Sequence, residues 1–185
     1  NVEKIFRTYL TQSDDLGRVV IPKEIRRTLR LREGTPLEIF TDREGEIILK
    51  KYSPMMELTA FAGQYADAMA QSTGLIVCIT DRDQVVAVAG GSRKELLQKT
   101  ISRSLEQAIN DRITYQAGKD EKNVIQLVDE ELEGITAQVI APIICEGDAI
   151  GSVSLMSREP KARFGEMEMK LAVTAAGFLG RQMES

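Results

Sequence analysis

Apolar and polar positions alternate with different periods along the chain, and the changes of period mark its elements. Residues 5–10 are rich in β-branched and aromatic side chains and predict a strand. Residues 11–17 read as a polar connection. Residues 18–21 are a second short strand, stopped by Pro22. A proline suits the opening of a helix, where its missing N–H costs nothing. Residues 23–29 are predicted to form that short helix. The Arg32-Glu33-Gly34-Thr35 stretch is a turn, and Leu37 and Ile39 alternate with polar residues toward Thr41. Asp42-Arg43-Glu44-Gly45 is a hairpin loop, and residues 46–51 are the returning strand.

Ser53-Pro54 marks a boundary: Ser53 can cap a helix, and Pro54 fits its first turn. Leu58, Phe61, Ala62, Tyr65, Ala66 and Met69 then recur at helical spacing, and Ser72-Thr73-Gly74 ends the stripe. Residues 75–80 and 84–89 are apolar strands joined by Asp81-Arg82-Asp83. Ile101, Leu105, Ala108 and Ile109 mark another helix, and residues 114–123 read as loop. A short strand over 124–128 and an acidic turn over 129–134 come next. A hairpin follows, with strands over 135–145 and 149–157 around Glu146-Gly147-Asp148, and a long helix over 164–183 closes the chain. Strands joined by hairpins, with helices at the ends, predict an antiparallel α+β sheet domain over residues 54–185.

Charge changes the picture at one place. From Arg18 to Arg32 six basic side chains (Arg18, Lys23, Arg26, Arg27, Arg30 and Arg32) stand against a single acid, Glu24. Residues 1–54 carry a net charge of +2 and the remainder −6, within a total of −4. The basic surface is therefore concentrated at one end, as in a protein that meets an anion there. The segment of about 50 residues that carries it is near the lower limit for a lone core. It holds neither cysteine nor zinc-ligand spacing, so an obligate, intertwined dimer is the physical expectation.

Composition narrows the chemistry. The 185 residues contain no histidine, which removes Ser-His and Cys-His nucleophiles, histidine metal ligands and a histidine pH switch. No cofactor, metal site or catalytic residue is called for, and the chain is expected not to be an enzyme. No apolar run approaches the ~18 residues needed to span a bilayer, and no signal-peptide core is present, so a cytoplasmic protein without membrane contact is expected. Cys78 and Cys145 both lie in apolar runs and are expected as buried thiols, not a disulfide or redox sensors. Ala89-Gly90-Gly91-Ser92 lacks phosphate-loop spacing and reads as a plain turn; Asp129-Glu130-Glu131 with Glu133 reads as a solvated acidic turn. Met55, Met56 and Met69 read as packing residues.

The string Asp15-Leu16-Gly17-Arg18-Val19-Val20-Ile21-Pro22, continued by Glu24-Ile25-Arg26-Arg27-Thr28-Leu29, Leu37-Glu38-Ile39 and Ile48-Leu49-Lys50-Lys51-Tyr52, resembles the AbrB-type transition-state regulators. The resemblance covers about residues 14–52, with order and spacings intact. It implies a swapped-hairpin dimer over residues 1–53 that binds double-stranded DNA, with its arginine contacts at Arg18, Arg26 and Arg27; Lys23 joins them as a DNA-binding candidate because it belongs to the same cationic helix. One departure is that Thr8-Tyr9-Leu10-Thr11 replaces the family's Gly-aliphatic-aliphatic-Arg run, leaving Thr11 where a basic contact is usual and Arg7 nearby. Tyr52-Ser53-Pro54, Glu57-Leu58, Tyr65-Ala66-Asp67-Ala68 and Thr174-Ala175-Ala176-Gly177-Phe178-Leu179 with Arg181-Gln182-Met183 are similar to sporulation regulators that add a GAF domain to this module. Residues 54–185 are then a GAF-like unit for oligomerisation and for an effector whose identity the sequence does not give.

Physically, phosphates supply affinity and salt dependence, and arginine can also fork onto guanine edges. Arg26 and Arg27 point about 100° apart on a helix, so they serve separate contacts. The helices over 54–70 and 164–183 carry Ala66, Ala70, Ala172, Ala175 and Ala176, and are expected to use these small residues to pack against symmetry mates. The whole then reads as a homo-oligomeric, nucleoid-associated transcription regulator of sporulation genes, a dimer or a tetramer of paired dimers. Two other readings stand beside it: a small-molecule-binding GAF protein, and an antitoxin-type repressor.

Overall fold

The computed structural model describes residues 11, 13–52, 59–118, 124–130 and 132–184. The strand expected over 5–10, residues Arg7 and Thr8 to Leu10, the Ser53-Pro54 cap, Met55, Met56, Leu58 and Glu131 lie outside the described residues. The chain divides into two compact units, Asn1–Tyr52 and Ser53–Ser185.

In the first unit the string Asp14-Asp15-Leu16-Gly17-Arg18 folds back on itself. Gly17 takes φ +74°, and its N–H donates to the Asp14 carbonyl at 3.0 Å. The Asp14 N–H donates to the Arg18 carbonyl at 3.1 Å, and Ser13 bridges Val19 antiparallel. The strand expected over 18–21 is therefore one bridge at the foot of a tight turn. α1 spans Lys23–Thr28, with Pro22 at its N-cap. Its end is closed by Leu31 N–H donating to the Arg26 carbonyl and Arg30 N–H to that of Arg27, with Arg30 at φ +50°. This is a Schellman close with arginine at the usual glycine position. β1 (Leu37–Thr41) and β2 (Ile47–Lys51) pair antiparallel, Ile39 opposite Leu49. Asp42 Oδ1 accepts the amides of Glu44 and Glu46 and fixes the loop between them.

The second unit is a five-stranded antiparallel sheet, β3 (Ile76–Asp81), β4 (Val85–Ala89), β5 (Tyr115–Ala117), β6 (Ala137–Cys145) and β7 (Asp148–Ser157), ordered β4-β3-β7-β6-β5. α2 (Thr59–Thr73) and α5 (Glu166–Gln182) cover one face; α3 (Arg93–Leu96) and α4 (Arg103–Asp111) cover the other. Val77, Ile79, Val139, Val153 and Leu155 face α2 and α5, whereas Cys78, Val88, Ile140 and Met156 face α4. Burial on both faces explains why these strands read as unbroken apolar runs.

Three expectations are corrected here. Residues 115–117, expected as loop, are the edge strand β5, too short to leave a period in the sequence. Residues 124–128, expected as a strand, form only an isolated bridge from Val128 to Ile101. Their backbone is tied by side chains instead: buried Gln138 accepts the Ile125 N–H at 2.9 Å and donates to the Ile125 carbonyl at 2.8 Å, and Ser102 Oγ donates to the Gln126 carbonyl at 2.5 Å. Finally, Ala66, Ala172, Ala175 and Ala176 are buried in the chain's own core, so the close approach they permit is of helix to sheet. At Gly180 an added Cβ would sit 2.1 Å from the Ile144 carbonyl oxygen, which measures how close α5 comes.

Candidate nucleic-acid interface

The four sequence-predicted site residues all belong to the first unit, and all are exposed. Lys23 lies one helical turn before Arg26 and Arg27 on α1, so it shares a side of the helix with each of them. Arg18 stands at the foot of the preceding turn. Pro22 links the two and fixes the backbone at the start of α1 at φ −54°. Among the described residues, Lys23, Arg26 and Arg27 have no carboxylate within ion-pair distance. Arg18 differs. Its Nε donates to Asp14 Oδ2 at 2.7 Å, while 72% of its side chain remains exposed. The hydrogen bonds from the Arg18 and Leu16 amides, with that of the guanidinium, hold the Asp14 carboxyl below the usual carboxylate range. The sequence signalled this pair through its i, i+4 spacing and Gly17, but only the folded turn brings the two ends together.

The apolar residues of this unit are uncovered. No described residue between 11 and 52 is buried. Ile39 and Ile47 are 68% and 70% exposed, and Val19, Val20, Leu29, Ile48 and Leu49 are exposed as well. In the β1–β2 register Leu37, Ile39, Ile47 and Leu49 share one face. The unit thus presents both cations without a carboxylate partner among the described residues, Lys23, Arg26 and Arg27, and an open apolar sheet face.

The other candidates resolve as structure. Gly90 takes φ +71°, and a Cβ there would lie 2.3 Å from the Leu75 carbonyl oxygen, so the glycines of Ala89-Gly90-Gly91-Ser92 serve close packing. Glu130 pairs with Lys99. Cys78 is buried, and desolvation pushes its thiol up to about 12. Cys145, expected in the core, is instead half-buried at the end of β6, because the hairpin turn at Glu146-Gly147 lifts it to the rim. Its thiol is raised by desolvation and by nearby Glu146, Glu184 and Asp148. Met69 packs at the margin of the core. No helix among the described residues is long and apolar enough to cross a membrane.

Outside the sheet core, α2 and α5 present a second surface. Phe61, Tyr65 and Phe178 form a ring cluster with centroids 5.5–6.4 Å apart. Beside it a cleft of about 430 Å³ is lined by Tyr65, Met69, Met167, Leu171 and Thr174, with the Glu166–Lys170 ion pair at its rim. Met167 and Val173 remain exposed.

Comparisons with known proteins place these two units. The structure of the second unit is similar to a type II free methionine-R-sulfoxide reductase from Thermoplasma acidophilum (TM-score 0.57, 11% identity, 71% of this chain and 95% of that one). It is equally similar to the PixJ GAF domain from Thermosynechococcus elongatus (TM-score 0.56, 12% identity, 72% and 89%). At these identities the likeness shows the fold, which is GAF-like. Residues 10–56 match the family model for "Antidote-toxin recognition MazE, bacterial antitoxin". The transition state regulatory protein AbrB of Bacillus subtilis (strain 168) is 42% identical over 76 residues, 40% of this chain and 77% of that protein. Stage V sporulation protein T of the same organism is 54% identical over 171 residues, 92% of this chain and 94% of that protein. Residues 57–184 match the family model for "Stage V sporulation protein T C-terminal, transcription factor". An AbrB-like unit followed by a GAF-like one, matched along nearly the whole length, makes this chain a member of the stage V sporulation protein T family of transcription factors.

Proposed function

We propose that this sporulation transcription regulator binds double-stranded DNA as an intertwined dimer through Arg18, Lys23, Arg26 and Arg27 of residues 1–53. Residues 54–185 join such dimers. The observation that carries the reading is the pairing of unneutralised cations with an uncovered apolar sheet in the same unit. The apolar face of β1 and β2 needs a second copy to leave water, and that copy doubles the basic surface at a fixed spacing along a duplex. Pairing of dimers through the outer face of α2 and α5, at Phe61, Tyr65 and Phe178, raises apparent affinity by linkage without new DNA contacts. The reading places the protein on chromosomal DNA in the cytoplasm, without catalysis, which the lack of histidine in the sequence supports. A small-molecule effector for the GAF-like unit belongs to the same proposal.

Titrating duplex DNA with the wild-type chain and with Arg26→Ala and Arg27→Ala at several salt concentrations tests it. Each substitution is expected to weaken binding and to lower the slope of log affinity against log salt by about one for each phosphate it leaves unneutralised. Slopes and affinities equal to wild type would remove these arginines from the interface. The antitoxin reading has the match of residues 10–56 in its favour. Against it, the segment after that unit is a folded sheet domain of a transcription-factor family.

A further inference from the structure

Arg18 is set apart from the other three basic residues by its partner. The Asp14 carboxylate divides its work between its two oxygens. Oδ1 accepts the amides of Leu16 at 3.0 Å and Arg18 at 2.8 Å, which builds the turn. Among the described residues Oδ2 accepts only the Arg18 Nε–H, at 2.7 Å. The guanidinium is therefore held by one edge, on a turn of five residues closed by Gly17 at φ +74°. Its side chain nonetheless stays 72% exposed. Guanidinium donors are arranged as a rigid fork, so fixing Nε aims the two terminal nitrogens together. A fork so aimed matches the O6 and N7 acceptors of guanine in the major groove.

The carboxylate also has a cost for binding. Placed beside a DNA-contacting arginine, it offsets that arginine's attraction for phosphate, which is the same at every sequence. An acid retained there weakens uniform affinity and favours contacts that need geometry, which is how discrimination is gained. Lys23, Arg26 and Arg27 have no such partner among the described residues and remain plain phosphate-seeking charges.

We propose that Asp14 is a positioning residue that aims Arg18 at a guanine edge, making Arg18 the base-reading contact and α1 the phosphate-binding element. The proposal rests on the DNA-binding reading above. Asp14→Asn is the discriminating variant. Its amide oxygen can still accept the Leu16 and Arg18 amides, whereas its NH₂ replaces the acceptor facing Nε.

The test measures affinity for a duplex recovered by selection from random-sequence DNA and for a base-shuffled duplex of equal composition. The ratio of the two is the discrimination. Asp14→Asn is expected to lower that ratio about tenfold, within the range of one bidentate base contact, while affinity for the shuffled duplex holds or rises. Arg18→Ala and the Asp14→Asn/Arg18→Ala pair are expected to show the same low ratio, since Asp14 acts through Arg18. If circular dichroism shows that Asp14→Asn has lost its fold, Arg18→Lys carries the test: it keeps the charge and salt slope but lacks the fork, so its ratio must also fall. Equal gains on both duplexes in Asp14→Asn would mean that the carboxylate acts by charge alone, and would overturn the proposal. So would an unchanged ratio in folded Asp14→Asn or in Arg18→Lys, or a wild-type ratio of one. Wild-type protein that binds neither duplex at low salt would instead overturn the DNA-binding reading itself.

Discussion

The two units of this chain contain similar side chains and treat them oppositely. In the second unit, Val77, Ile79, Val139, Val153 and Leu155 have no exposed surface, because helices lie on both faces of the sheet. In the first, Ile39 and Ile47 sit on a strand pair of the same antiparallel kind and are about two-thirds exposed. The difference is one of layers. The two strands and one six-residue helix of the described residues cannot enclose a sheet face, whereas five strands between two helical layers can. Apolar content alone does not decide burial; a second layer must be available, from the same chain or from another copy.

This contrast can be broken most forcefully in the sheet core. Leu155→Ala should cost about 2–5 kcal/mol, because the cavity is walled by both helices and strands and cannot collapse. Denaturant unfolding should show the decrease in the transition of residues 53–185. A decrease below about 1 kcal/mol would mean that the core is looser than its burial implies.

The next effect is in the open unit. Ile39→Ser should destabilise the first unit by about 1.5–3 kcal/mol per chain if a second copy covers that face, and by almost nothing if water does. The same transition should shift to higher denaturant as protein concentration rises, since assembly stabilises by mass action. Indifference to both concentration and substitution would show the face to be genuinely wet. On the other unit, Phe178→Ser should leave the sheet core folded and reduce the assembly from paired dimers to single dimers in sedimentation. An unchanged mass would remove the ring cluster from the interface.

Two smaller effects sharpen the comparison through titration. The thiol of Cys78 is held up to about 12 by burial, so the native chain keeps a proton that the unfolded chain releases near pH ~8.5. Stability of the second unit should therefore fall as pH rises above that value, and Cys78→Ala should flatten the decline. In the native protein a thiol reagent should modify half-buried Cys145 slowly and leave Cys78 untouched until unfolding. Asp14 runs the other way. Its folded pKa is depressed, so its stabilisation of the turn is present above the ordinary carboxylate value and is lost as pH falls through the folded one. The acid limb of the first unit's stability curve should accordingly flatten in Asp14→Asn, and an unaltered limb would mean that the ion pair contributes nothing in solution.

Legibility followed the range of the interaction. The hairpin of β6 and β7 was readable to within two residues because its alternation and its Glu146-Gly147 turn are local. Four-residue α3 and three-residue β5 left no period to read. Residues 124–128 have strand-like composition, yet Gln138, ten or more positions away, takes the hydrogen bonds that a neighbouring strand would have made. The basic residues of the candidate interface were visible as charge. That Arg18 is held by Asp14 while Arg26 and Arg27 are not was decided by the turn at Gly17.

By itself, the sequence determined the cationic helix behind Pro22, the hairpins, the order of the long helices, and the absence of any histidine-based chemistry. Periodicity, turn residues and composition act over a few positions and survive without a partner. The tertiary structure alone decided which surface each helix uses. Ala62, Ala66, Ala172, Ala175 and Ala176 went to the sheet and Phe61, Tyr65 and Phe178 toward the outer side, because small side chains let a helix axis approach where Gly180 meets Ile144. It alone also left the first unit's apolar strands uncovered, since burial depends on a layer that no stretch of local sequence can supply.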